Sequence, residues 1–182
     1  PPNMPLTEAD IQTQMDRRRP GSGGGSSPRR EEDRVEILSG TFEGKTTGTP
    51  ISLIIQNRDR ASVEYEGIRD LFRPGHGDIT YYRKYGIRDH RGGGRASGRE
   101  TAARVAAGAV ARKILEREGI DVAAFTRELG GIRAEGPAPF RIDQSRLCCP
   151  DDEAARRMEA RIEEARRAGD SLGGIVEIVV KG

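Results

Sequence analysis

The chain has 182 residues, enough for one large domain or two small ones around a core of ordinary size. Hydrophobic residues are 34% of it, and the 24 glycines bring the apolar share near that of globular chains, which excludes disorder of the whole. With 31 Lys and Arg against 29 Asp and Glu the net charge is +2, too small by itself to imply a polyanion-coating protein, so any basic site is local.

The two cysteines, Cys148 and Cys149, are neighbours and cannot close an unstrained bridge with each other, which points to a reducing, cytoplasmic compartment. No run of about 18 apolar residues occurs and no basic-then-apolar leader opens the chain, so the sequence predicts a soluble protein without membrane contact. It opens on Pro1-Pro2 and closes directly after the strand-like run Ile175 to Val180, which predicts a fragment of a longer protein.

Thr7 caps a helix whose first turn carries Glu8 and Asp10 and whose end carries Arg17, Arg18 and Arg19 before Pro20 stops it. Residues 21–28, rich in Gly and Ser, lack apolar anchors and predict a flexible loop. From Arg34 the pattern alternates, with Val35 and Ile37 on one face, and Ile51 to Ile55 follows; these predict two strands joined by Gly40 to Pro50. Inside that connection, Gly40-Thr41-Phe42-Glu43-Gly44-Lys45-Thr46 imitates a phosphate-binding P-loop. It has three residues between its glycines where four are needed, and a strand rather than a helix follows.

Tyr65 to Phe72 predicts a short helix, Arg73 to Asp78 a loop, and Thr80 to Tyr85 a turn of helix. From Arg69 to Arg99 seven Arg and one Lys face only Asp70, Asp78 and Asp89, a basic excess in an otherwise balanced chain. Within it, Gly92-Gly93-Gly94 permits close backbone approach, and Ser97 with Glu100 forms a capping box opening a long helix from Ser97 to about Glu118. Arginines converging on open N–H groups at a helix N-terminus make an anion site. That helix carries Ala102, Val105, Ala106, Ala109 and Val110 on one side and stops at Gly119. Asp121 to Leu129 and Ile132 to Ile142 predict strands with a Pro-rich connection at Pro137 and Pro139. A helix then opens after Pro150, carries Met158 and Ile162 on one face and ends near Gly169, and a final strand closes the chain.

Two histidines and no Cys-x-x-Cys or His-Glu-x-x-His spacing predict no metal site. His90, among arginines, reads as a packing or hydrogen-bonding residue. His76 lies in an exposed Gly-His-Gly loop beside Arg73, where imidazole, the side chain type that titrates near neutral pH, is a candidate proton carrier at an anion site.

The stretch Arg73-Pro74-Gly75-His76-Gly77-Asp78, then Lys84-Tyr85-Gly86 and Arg88-Asp89-His90-Arg91-Gly92-Gly93-Gly94-Arg95-Ala96-Ser97-Gly98-Arg99-Glu100-Thr101, resembles the chorismate synthases. The resemblance continues through Asp16-Arg17-Arg18-Arg19-Pro20-Gly21, Val35 to Gly40, Thr46 to Ile51, Cys149-Pro150-Asp151 and Gly169 to Gly174, nearly the whole chain in order. It implies an α/β (α+β) fold, an incomplete chorismate-synthase-like β-α-β sandwich with residues 1–182 as a partial domain. It also implies a lyase that eliminates phosphate (anti, 1,4) from 5-enolpyruvylshikimate 3-phosphate to give chorismate, the last common step of the shikimate pathway of aromatic amino acid biosynthesis. Reduced FMN would be the cofactor, NADPH a possible reductant, and a homotetramer the full-length assembly, with no nucleic acid and no membrane as partner.

By position, His76 matches the catalytic histidine beside the flavin, and Arg18, Arg73, Ser97 and Arg99 match substrate-binding residues. Arg95, Ala96 and Ser97 fall on the FMN-binding stretch, usually Arg-Ser-Ser, and Arg18 matches one of two arginines assigned to substrate phosphate or NADPH. Three departures stand out: Gly24 occupies the place of the second of those arginines, Asn57-Arg58-Asp59-Arg60-Ala61-Ser62 moves a positive charge by one position, and the Gly-Glu-Ser-His-Gly segment with the family's other catalytic histidine is absent. The chain alone is therefore expected to be inactive or nearly so. The alternatives are an RNA-binding module using the Arg/Gly-rich segment beside Tyr81, Tyr82 and Tyr85, and a catalytically lapsed homologue.

Overall fold

The computed structural model describes residues 1–18, 32–57, 62–91, 97–136 and 146–182. The 21–28 loop with Gly24, the Arg95-Ala96 pair and the connection at Pro137 and Pro139 lie outside the described residues. Those described fall into two compact units, divided within a long helix after Val110.

The first unit opens with residues 3–6 laid along a small hairpin: Asn3 N–H donates to Thr46 O at 2.6 Å, Thr46 N–H to Met4 O at 2.8 Å and Leu6 N–H to Gly44 O at 2.9 Å. Helix α1, Glu8–Arg18, follows. At its start Asp10 Oδ2 accepts from both the N–H (2.8 Å) and the hydroxyl (2.9 Å) of Thr7, while Asp10 N–H donates to Thr7 O at 3.2 Å, so the Thr7 hydroxyl donates rather than caps a backbone N–H. The two strands expected from the alternation form as β1 (Val35–Ser39) and β4 (Ser52–Ile55), and they pair antiparallel. The connection between them is itself a hairpin, β2 (Thr41–Phe42) against β3 (Lys45–Thr46), turned by Glu43 (φ 47°) and Gly44 (φ 72°). Two successive positive φ angles are the tight turn whose twist matches paired strands, so the P-loop-like segment is a hairpin. The sequence reading, with its two strands alone, missed it because two-residue strands carry no periodicity.

A 3-10 helix over Ser62–Ile68 precedes helix α2, Asp78–Tyr85, which Gly86 ends at φ 70°. Helix α2 is longer than the turn expected from Thr80, starting directly behind the 74–77 turn. Helix α3 spans Glu100–Arg117 rather than opening at Ser97. Residues 97–99 form a serine turn in which Ser97 Oγ accepts from Arg99 N–H at 3.2 Å, and α-helical geometry begins only after it. The core joins Leu6, Ile11, Met15 and Val35 to Ala102, Ala106 and Ala109, with Ile37, Leu53, Val105 and Val110 packed around them. The small side of α3 thus faces this core, as its alanine spacing dictates.

In the second unit α3 stops at Gly119 (φ 73°), and Ile120 N–H reaches back to Leu115 O at 3.0 Å. Strand β5 (Asp121–Leu129) lies between β6 (Ile132–Arg133) and β7 (Gly174–Lys181), all antiparallel. β6 is two residues, far shorter than the run expected to Ile142, whose remainder from 137 lies outside the described residues. Helix α4, Asp152–Ala168, is capped by Asp151, whose carboxylate accepts from Glu153 N–H (3.0 Å) and Ala154 N–H (2.9 Å). Met158 and Ala154 sit in a core with Ala134 and Cys149. Arg127, almost wholly buried, is held over Phe125 at 4.7 Å and donates to Glu177 (2.7 Å), Ala134 O (3.0 Å) and Gly136 O (3.1 Å). No helix among the described residues is long and apolar enough to cross a membrane.

Candidate active site

The described site residues expected from sequence lie in the first unit, on or beside two groups, each built on one buried aspartate shared by two arginines. In the first group Asp33, just ahead of β1, has only 1% of its surface exposed. Arg18, at the end of α1, donates to its Oδ2 at 2.6 Å, and Arg99, ahead of α3, donates to its Oδ1. Arg18 Nε also donates to Thr101 Oγ1 at 3.1 Å, and Arg99 donates to Gln56 O, beyond β4, at 2.9 Å. The α1 end and the α3 start are thereby tied at one carboxylate, and Arg99 links the residue beyond β4 to them. Taken alone, two guanidinium groups and one carboxylate leave one net positive charge.

Ser97 is half-buried beside Arg99. The N–H groups at this end of α3, expected to be open to an anion, are bonded within the chain: Arg99 N–H to Ser97 Oγ, Glu100 N–H to Ser97 O (3.0 Å), Thr101 N–H to Gly98 O (3.2 Å) and Ala102 N–H to Arg99 O (3.0 Å). The attraction for an anion here therefore resides in the guanidinium groups rather than in the backbone.

The second group centres on Asp78, the first residue of α2, 5% exposed. Arg73 grips it as a fork, Nε to Oδ2 and a terminal nitrogen to Oδ1, both at 3.0 Å, and its backbone N–H adds a third bond at 3.0 Å that closes the 73–78 turn. Arg88 donates to Oδ2 at 2.6 Å and also to the carbonyl of Arg69. The Arg73 fork, with the Arg88 bond beside it, holds the Asp78 carboxyl far below the usual carboxylate range against a burial effect that opposes it. Arg73 and Arg88 lie over the rings of Tyr65 (5.6 Å) and Phe72 (5.5 Å).

His76 stands exposed on the turn that Asp78 closes. Its Nδ1 lies 2.8 Å from Pro74 O, and since a carbonyl only accepts, Nδ1 carries the hydrogen and Nε2 is left to take or give a proton. His90 lies 3.3 Å from Glu66 Oε1 and is half-buried, in keeping with a hydrogen-bonding role. Beside it, Arg69, Phe72, Tyr82, Ile87 and Arg88 line an open cavity of about 440 Å³. Of the expected site residues, the structure brings Arg18, Ser97 and Arg99 together and sets Arg73 beside His76. Arg95 and Ala96 are outside the described residues. Sequence reading counted Asp78 only as a charge offset and gave Asp33 no role. Nothing in composition marks Asp33, while Asp78 could have been flagged as the acid opening a helix directly after Gly77.

These elements define an α+β protein with arginine clusters suited to a ligand carrying phosphate or carboxylate groups. A chorismate synthase family profile matches residues 1–182, and the chain belongs to the chorismate synthase family. It is 63% identical over 185 residues to the chorismate synthase of Syntrophus aciditrophicus, 60% over 182 residues to that of Desulfatibacillum aliphaticivorans and 52% over 187 residues to that of Methanosarcina acetivorans. Each alignment takes in 100% of this chain and 52%, 51% and 51% of the relative. The chain thus spans about half the length of the curated relatives it matches. A crystal structure of chorismate synthase superposes with a TM-score of 0.72 at 33% identity, over 99% of this chain and 51% of that one.

Proposed function

We propose that this chain carries the arginine-rich part of a chorismate synthase site, where phosphate is eliminated from 5-enolpyruvylshikimate 3-phosphate to give chorismate. The observation that carries the reading is the pair of Asp-bridged arginine clusters, in which Arg18, Arg73 and Arg99 are the residues matching the family's substrate positions. Its substrate bears a phosphate and two carboxylates, and several guanidinium forks fixed in advance suit such a polyanion better than mobile lysines. In the reaction the C–O bond to phosphate breaks, the C6–H bond is lost with its electron pair entering the new double bond, and the overall redox state does not change.

Arg18 and Arg99 would orient the substrate by its anionic groups, with Arg73 holding a further one near His76. His76 would hold or release a proton at Nε2, the nitrogen that its bond to Pro74 O leaves open. The donor set fits a flavin phosphate and a redox cofactor's protonation: the Ser97 hydroxyl for the phosphate, His76 for the proton. Reduced FMN, when bound, supplies transient electron donation as phosphate leaves. Arg95, Ala96 and Ser97 are the residues that would hold FMN, and Arg18 would contact substrate phosphate or NADPH.

The enzyme assignment, a lyase acting as a homotetramer in the cytoplasm, rests on the family. So does the description of residues 1–182 as one partial domain. Membership over the whole length argues against the RNA-binding alternative. The test is anaerobic incubation with dithionite-reduced FMN and 5-enolpyruvylshikimate 3-phosphate, of the chain alone and of the chain completed with its relatives' remaining segments. Chorismate and phosphate released in equal amounts by the completed protein, and lost in His76→Ala and Arg99→Ala, are expected. Silence of the completed protein would favour a lapsed homologue.

A further inference from the structure

Asp33 is a buried acid to which neither the family resemblance nor the expected chemistry gave a part. Its side chain has no exposed surface, while those of Arg18 and Arg99 keep 19% and 15%. Its backbone sits at φ 49°, a conformation uncommon outside glycine. Gln12 of α1 locks that conformation in place: its amide nitrogen donates to Asp33 O at 3.4 Å and its amide oxygen accepts from Val35 N–H at 3.1 Å. The strained backbone and the Gln12 brace bring one carboxylate to a point where each oxygen receives a different guanidinium.

The outward sides of those two groups are aimed by what their inner sides hold. Arg18 is fixed by Asp33 Oδ2, Thr101 Oγ1 and Gly98 O, the last at 3.4 Å, and Arg99 by Asp33 Oδ1 and Gln56 O. We infer that Asp33 is a positioning residue: it sets the mutual angle and spacing of Arg18 and Arg99 so that one phosphate or carboxylate-bearing ligand meets both. This rests on the proposed reading that these two arginines bind the substrate.

Positioning and plain electrostatics predict opposite signs. Asp33→Asn deletes a negative charge next to two cations, so an electrostatic role alone would make anions bind more tightly in the variant. A positioning role makes the variant bind the substrate more weakly, because the amide offers one acceptor oxygen where two guanidinium groups need two. Asn is the conservative choice, since it tolerates positive φ as Asp does.

The experiment titrates 5-enolpyruvylshikimate 3-phosphate, and separately inorganic phosphate, into the full chain and into Asp33→Asn by calorimetry at matched folded fractions. Expected is a roughly tenfold loss of affinity for the substrate, the size of one or two charge-assisted bonds mis-set. Inorganic phosphate, which needs no fixed spacing, should bind as well or better. Equal or tighter substrate binding in the variant overturns the inference, and a lowered melting temperature with unchanged affinity does so too, since it reduces Asp33 to a purely structural part.

A second readout stands apart from both the variant's folding and the substrate. In the wild-type chain, NMR of labelled arginine is expected to show hindered rotation and slow proton exchange for the Arg18 and Arg99 guanidinium groups. If both exchange like free arginine, the bridge does not exist and the inference fails. If they are protected but the wild-type chain ignores the substrate, the ligand reading fails while protection lost in Asp33→Asn still establishes that Asp33 fixes the pair.

Discussion

Replacing Asp78 by asparagine removes the charge at which Arg73 and Arg88 meet and loosens the turn that carries His76. The carboxylate accepts four bonds, three of them at Oδ2 and one at Oδ1. Asparagine with its oxygen in the Oδ2 place keeps three and turns an amide NH₂ toward a guanidinium NH₂, donor against donor. Breaking a buried ion pair by removing one partner costs about 3–5 kcal/mol, and the 17% and 9% exposure left to Arg73 and Arg88 allows water to recover part of it. The loss should therefore be about 3 kcal/mol, or roughly 6–12 °C in melting temperature for a chain of this length. Urea denaturation followed by far-ultraviolet circular dichroism measures it.

The pH dependence supplies a second check on the same residue. Because the folded carboxyl lies well below its ordinary value, Asp78 contributes its stability in full above the unfolded aspartate pKa of about 4. That contribution drains away as pH falls below about 4 toward the folded value. The gap between wild type and Asp78→Asn should hold steady above about pH 5 and narrow steadily from about pH 4 downward. A gap under about 1 kcal/mol at neutral pH, or one that stays constant through acid, would refute the reasoning about this cluster.

Asp151→Ala removes the cap on α4 and should lower stability by about 1 kcal/mol in denaturant titration, with α4 amides near Ala154 exchanging faster. Met158→Ala empties a fully buried position in the second unit and should cost about 2–5 kcal/mol by the same measure. Gly40→Ala should be worse than an ordinary surface change, because a Cβ there would stand 2.7 Å from Ile51 Cγ1 and 2.8 Å from Pro50 O at φ 87°. A loss of at least about 2 kcal/mol, or insoluble expression, is expected, and a neutral outcome would show that β1 and β4 can slide apart at that corner.

What the sequence makes legible follows the strength of local signals. The Ala102, Ala106 and Ala109 face, the helix opening after Pro150 and the strands β1 and β4 were readable because period and helix-start signals act over a few residues. The β2–β3 hairpin was not, because two-residue strands have no period, and the later start of α3 was not, because a Ser-x-x-Glu spacing fits a serine turn as well as a capping box. His76, Arg73, Arg18, Ser97 and Arg99 were named through glycine-rich, basic patterning and family resemblance. Asp33 and Asp78 escaped notice as site-builders because their importance lies in bonds across 15, 66, 5 and 10 positions of chain, and only folding makes such pairs adjacent. The same aspartates show that the arginines are not loose cations awaiting a ligand, as the charge count suggested, but forks already fixed from behind.

The central claim, that these fixed arginines receive the phosphorylated, doubly carboxylated substrate, is tested most directly by calorimetric titration of 5-enolpyruvylshikimate 3-phosphate into the chain and into Arg99→Ala. The account predicts saturable binding of one substrate per chain, weakened more than tenfold in the variant. No saturable binding to the wild-type chain, or equal affinity in Arg99→Ala, would contradict it.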